Sequence, residues 1–228
     1  MELVPLHGWN LSPKQAVALQ RELRERLILR PPPGLKVERV AGADISMSRG
    51  DDTAYGGLAV LDAGTLESVA QVSVAVKLRF PYVPGLLSFR ELPVLSEAWA
   101  RLNVRPDVLI FDGQGTAHPR RFGLACHGGL LFGVPSIGCA KSLLVGGHGP
   151  LGAERGSMAE ITHGGEVVGM AVRTRPNVLP VYVSPGHMMD LPTAVELVLR
   201  VTSRYREPET TRHAHRLVNE VRRSARGQ

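Results

Sequence analysis

Between residues 72 and 80, apolar and polar side chains take turns along the chain. Val72, Val74, Val76, Leu78 and Phe80 alternate with Ser73, Ala75, Lys77 and Arg79. A period of two is that of a strand with one buried face. Two further strands are predicted upstream, over residues 35–46, ending near Asp44, and over 54–61, with a tight turn at Asp62-Ala63-Gly64. Short connections make these three an antiparallel meander. Residues 107–111, DVLIF, form a short continuous apolar run, the mark of a strand buried on both faces. Residues 134–140 predict another short strand, and 166–172 and 178–183 predict a later hairpin. Helical spacing takes over elsewhere. Ala16, Leu19, Leu23 and Leu27 repeat within residues 11–29, and Pro31-Pro32-Pro33-Gly34 stops that helix. Further helices are predicted over 88–102, 121–132 (weakened by Gly128-Gly129), 191–206 and 208–224.

Helices after the fourth and fifth strands imply parallel crossovers. The predicted fold is therefore α/β: a mixed sheet with an antiparallel β1-β2-β3 meander, then parallel β4 and β5, flanked by helices. The 228 residues contain no internal repeat and no long linker, which predicts a single domain over 1–228. The N-terminal stretch lacks an apolar signal region, and no apolar run reaches the length of a membrane span. Cys126 and Cys139 form no disulfide framework and no CxxC pattern, and free thiols suit a reducing cytoplasm. The formal net charge of +6 leans toward a polyanionic partner such as nucleic acid.

Three acids stand out by position. Asp44 closes the first predicted strand, and Asp112 follows VLIF directly. If those strands are parallel neighbours, both acids share the carboxyl edge of the sheet, where open α/β folds keep their sites. Glu91 approaches the same edge from the start of the helix after β3. Clustered carboxylates raise each other's pKa, and a divalent cation is the usual compensation. All-oxygen donors favour Mg²⁺ or Mn²⁺ over zinc. Each acid also has a plain alternative. Ser88-Phe89-Arg90-Glu91 fits a capping box, although Pro93 sits awkwardly just beyond it. Asp112-Gly113 fits a hairpin turn, and Asp44 fits a turn.

Three stretches, VAGADIS (40–46), PYVPGLLSFRE (81–91) and DGQGTAHPRRFGLACH (112–127), together resemble the endonuclease V family. GVPSIGCAKSLL (133–144), SPGH (184–187) and EPETTRHAHRL (207–217) extend the resemblance over nearly the whole chain. It implies an RNase H-like fold. It also implies a DNA-repair endonuclease that recognises deaminated purines, chiefly deoxyinosine. Such an enzyme cleaves the second phosphodiester 3′ to the lesion, leaves 3′-hydroxyl and 5′-phosphate ends, and uses Mg²⁺ or Mn²⁺. Asp44, Glu91 and Asp112 would bind the metal, with Lys141 near the scissile phosphate and His215, in the last helix, near the site. Tyr82, held between Pro81 and Pro84 with Val83, would be a wedge that replaces the extruded base in the stack. Gly85, Leu87, Gly113, Leu124 and Gly138 would line the base pocket, and His118, Arg120 and Arg121 would meet the phosphate backbone. His213 and His215, two apart on a helix, point to different faces and make no metal pair. Cys139 stands where an aliphatic residue is more usual, and would be oxidation-sensitive if exposed. Inosine-containing RNA could enter the same site. A non-catalytic inosine-recognition module is the alternative from another class. The chain is expected to act as a monomer.

Overall fold

The computed structural model of the protein describes residues 1–47 and 52–225. Among the described residues, nine strands form one sheet in the order β3-β2-β1-β4-β5-β9-β8-β7-β6. The meander is present: β1 (Arg39–Met47), β2 (Thr53–Asp62) and β3 (Ser68–Lys77) pair antiparallel. Then β4 (Val108–Phe111) runs parallel to β1, and β5 (Ser136–Ala140) runs parallel to β4. β9 (Val181–Pro185) returns antiparallel against β5, followed by β8 (Glu166–Val172), β7 (Met158–His163) and the short β6 (Gly147–His148).

The short central strands are buried on both faces, so their side chains divide between two cores. Ala41, Ala43, Leu109 and Phe111 face α2 (Leu87–Arg101) and α3 (Leu124–Phe132), packing with Leu92, Leu95, Trp99 and Phe132. Val40, Val108, Ile110 and Ile137 face the other way, onto Ala194, Val195 and Val198 of α4 (Leu191–Arg200). α1 (Pro13–Arg24) lies over the first layer, burying Ala16 against Phe80 and Phe89, and Leu23 against Phe122 and Cys126. It ends earlier than the predicted residue 29, because the chain after Arg24 tightens into i→i−3 hydrogen bonds.

α5 (Glu209–Ala225) reaches the sheet through missing side chains. A Cβ on Gly42 would sit 2.1 Å from the carbonyl oxygen of Thr210, and one on Gly57 would sit 2.6 Å from Val218. The backbone of Thr210 cannot withdraw without lifting the helix. Gly42→Ala is expected to destabilise the protein by about 3 kcal/mol, at the upper end of overpacking costs. Urea denaturation measures it, and a change below roughly 1 kcal/mol would show that the helix floats on this strand.

The later hairpin expected over 166–172 and 178–183 is present as β8 paired with β9, and β7, which was not predicted, adds a second hairpin to it. The Gly164-Gly165 turn between β7 and β8 carries φ of 64° and 82°, the left-handed pair of a tight hairpin, and a Gly-Gly between alternating segments is the signal that could have found β7.

Candidate active site

Asp44 does not end β1, as the sequence suggested. The strand continues to Met47 as an arm paired with β2. Its pairing with β4 does stop at Ala43 opposite Phe111. Asp44 and Asp112 are thus the next residues on two parallel neighbours, at the same carboxyl edge of that pairing. Lys141 follows the last residue of β5, two residues beyond the position level with Asp112.

Glu91 is not a capping residue. α2 starts at Leu87 with Leu86 at its N-cap and no side-chain cap, so Glu91 lies in its second turn. The Ser88 hydroxyl turns instead toward His127. Pro93 is accommodated inside α2. Burial pushes the Glu91 carboxyl up to about 8, and the charges of Asp44 and Asp112 add to the shift. Asp44 is also raised, first by burial and then by Asp112, against the opposing pull of His215. The three carboxylates therefore repel one another from three different elements.

Lys141 and His215 answer part of that repulsion. Lys141 Nζ lies 2.5 Å from Asp112 Oδ2 and 3.1 Å from Glu207 Oε2. Burial draws the lysine down, but these two acids more than reverse this and hold it charged. His215 Nδ1, from α5, lies 2.8 Å from Asp44 Oδ2, and Asn219 Nδ2 lies 3.0 Å from its Nε2. His213 makes no such approach to Asp44, as the spacing implied. Glu207 and Asn219 were missed in the sequence, since an acid beside Pro208 reads as the start of a helix and an Asn within one reads as surface.

Whether a divalent cation suits this edge depends on the donors. Among the described residues, no three His, Cys, Asp or Glu side chains are already drawn together as a metal centre. Lys141 and His215 each engage one oxygen of an acid. The donors are hard carboxylate oxygens, and Glu91 has no cation strong enough to keep it ionised at neutral pH. That combination fits Mg²⁺ or Mn²⁺ held by Asp44, Asp112 and Glu91.

Beside the acids lies a cavity of about 310 Å³. Its walls include Gly85, Leu87, Gly113 and Leu124, with Tyr82 at the rim, and Asp112 and Lys141 on the side of the acids. Tyr82 is 70% exposed. The loop that carries it is tied down behind the ring. Gln20 Nε2, His118 Nε2 and an Arg120 guanidinium nitrogen all converge on the carbonyl oxygen of Gly85, at 3.1, 3.0 and 2.7 Å. Gly85 has φ of 77° and no room for a Cβ against Arg120, which explains the glycine.

Several expected roles change here. Gly138 does not line the cavity. A Cβ there would strike the backbone of residues 113–115, at 2.3 Å from Gly115 N, so this glycine seats the loop that follows Asp112. His118, Arg120 and Arg121 spend donors inside the protein rather than toward a phosphate. His118 is buried against Gly85, and Arg120 also holds Gln20 Oε1 at 2.5 Å. Arg121 is pinned to Glu166 and to the His163 carbonyl. Of the three, His118 lines the cavity, while Arg120 braces the Gly85 carbonyl behind it. The sequence could not show this, because a basic loop looks alike whether its charges face inward or outward. Cys139 is buried, and burial raises its thiol well above the ordinary value, which removes the expected oxidation sensitivity. Burial pushes Cys126 up to about 12.

The family model described as Endonuclease V matches residues 21–216. The chain belongs to the endonuclease V family. A curated endonuclease V of Myxococcus xanthus is 74% identical over 216 residues, covering 95% of this chain and 92% of that protein. The crystal structure of endonuclease V from Streptomyces avermitilis superposes with a TM-score of 0.91 at 44% identity, covering 96% of each chain. A Ciona intestinalis endonuclease V, crystallised with a 23mer DNA containing an inosine followed by a ribo-adenosine, gives a TM-score of 0.82 at 28% identity. That match covers 94% of this chain and 100% of the other. The mixed sheet and its flanking helices are thus the RNase H-like fold of endonuclease V, and the chain is a nuclease of that family. Among the described residues, no helix is long and apolar enough to cross a membrane.

Proposed function

We propose that this endonuclease V repairs deaminated DNA, taking an extruded hypoxanthine into the cavity and cutting the second phosphodiester 3′ to it. The observation that carries the proposal is the double position of Asp112, which belongs to the acid cluster and to the cavity wall at once. A base held in the cavity would lead its own backbone past the acids.

The residues divide the work. Asp44, Asp112 and Glu91 would hold Mg²⁺, or Mn²⁺ in its place, which would supply a water of lowered pKa and neutralisation of phosphate charge. Lys141, kept charged by Asp112 and Glu207, offers an N–H donor to a phosphate oxygen. His215 orients the Asp44 carboxylate through Nδ1, and Asn219 fixes the ring. The cut leaves a 3′-hydroxyl and a 5′-phosphate. Tyr82, on a loop stiffened by Pro81 and Pro84, fills the gap left by the extruded base. The protein acts as a monomer in the cytoplasm.

Labelled duplexes with one deoxyinosine or none, incubated with Mg²⁺ or with EDTA, test the reaction. A Mg²⁺-dependent nick at the second phosphodiester 3′ to inosine is expected. Binding without a nick in Mg²⁺ and in Mn²⁺ would leave a recognition module instead. The Ciona ligand, with a ribonucleotide after its inosine, motivates a second reading, cleavage of inosine-containing RNA. An all-RNA duplex run in parallel measures that preference. Tyr82→Ala is expected to weaken inosine-duplex binding about tenfold, since stacking of an aromatic ring on a base contributes roughly 1–3 kcal/mol. Wild-type affinity in this variant would remove the wedge.

A further inference from the structure

Two histidines connect the wall of the cavity to the N-terminal segment. Ser88 lines the cavity, and its Oγ lies 3.0 Å from Nδ1 of His127. His127 is fully buried in α3, and its Nε2 lies 2.7 Å from Nε2 of His7. His7 Nδ1 in turn lies 2.8 Å from the carbonyl oxygen of Gly8. The rings of Trp9, Phe89 and Phe122 pack around His127.

Followed from its outer end, this chain has one consistent direction. A carbonyl oxygen only accepts, so Nδ1 of His7 carries a hydrogen. Burial lowers both imidazoles below their ordinary value, His127 well below, so each ring is neutral with a single N–H. Nε2 of His7 is therefore bare and accepts. His127 donates its only hydrogen to it from Nε2, which leaves Nδ1 bare. The hydroxyl hydrogen of Ser88 must then go to His127, and only lone pairs of Oγ are left for other partners.

We propose that Ser88 is a specificity-determining residue that offers the cavity a hydroxyl oxygen able only to accept, its hydrogen held away by His127 and His7. This rests on the reading of the cavity as the base pocket. Placed opposite N1 of the base, an acceptor-only oxygen selects a purine whose ring nitrogen carries a hydrogen. A 6-oxopurine such as hypoxanthine has a hydrogen on N1, whereas adenine has a bare N1. Adenine seated the same way would set acceptor against acceptor and leave both unpaired. His127 and His7 are positioning residues.

Two measurements test the proposal. Imidazole ¹⁵N shifts of the free protein report the tautomers without any ligand. His127 should be protonated at Nε2 and bare at Nδ1, and the opposite tautomer overturns the wiring. Equilibrium binding is then compared for duplexes carrying inosine or adenine at one site, in Ca²⁺. Ser88→Ala should lower the inosine-over-adenine affinity ratio about tenfold, the size of one buried hydrogen bond, while Ser88→Thr should retain it. A packing defect would weaken both duplexes alike, and that result, or an unchanged ratio, overturns the proposal. A wild-type protein with no preference for inosine would instead remove the base-pocket reading, with the tautomers still standing.

Discussion

Asp112→Asn is expected to lower nicking of an inosine duplex by about a thousandfold, while binding in Ca²⁺ stays within a few-fold of wild type. Asp112 is the acid that the acid cluster and the cavity share, and the change replaces a charged oxygen with an amide nitrogen of the same size. The cation would lose a ligand, and Lys141 would lose its nearer acid. Glu207 would still hold the ammonium at 3.1 Å, so the lysine need not collapse into the site. The cavity walls do not depend on the charge of Asp112, so recognition should persist. Single-turnover cleavage and filter binding on the same duplex separate the two effects. Loss of binding in step with cleavage would mean that the acids organise the pocket rather than the chemistry.

Glu91→Gln is expected to stabilise the metal-free protein and abolish its activity. The folded-state pKa of Glu91, about 8, lies above the ordinary carboxylate value of 4.5. Between those values the folded protein holds a proton that the unfolded chain has released. Stability therefore falls as pH rises from about 4.5 to 8, and levels off above. At pH 8 the glutamine should gain about 2–4 kcal/mol, or roughly 5–10 °C in Tm. The slope of stability against pH in that window should flatten. Added Mg²⁺ should raise the Tm of the wild type more than that of the variant, because the cation answers the same repulsion. A variant that is no more stable than wild type at pH 8 without metal would show that Glu91 is strained neither by burial nor by its acidic neighbours.

The glutamate shows where sequence reasoning stops. Its approach to the edge of the sheet could be inferred from the order of strand, loop and helix. Its role could not be separated from a capping box, because Ser88-x-x-Glu91 satisfies both patterns. Only the packed helix reveals that Ser88 is engaged with His127 and that Glu91 faces two other acids.

Local order in this chain was decided by periods and punctuation. The alternation at 72–80 and the run VLIF are enough to set strands, and an acid directly after VLIF is enough to place it at a strand end. These signals are short-range, so they survive in one dimension. The direction in which a polar side chain points is not. Arg120 and Arg121 sit in a basic loop suited to phosphate, yet they face Gly85 and Glu166. Gly138 carries the composition of a pocket but lies beneath a loop. Lys141 meets Glu207 across 66 residues, and His215 meets Asp44 across 171. Such pairs depend on which strands become neighbours and how closely α5 can settle on Gly42 and Gly57. That is a matter of packing between distant segments, and it was settled only when the sheet closed around its two cores.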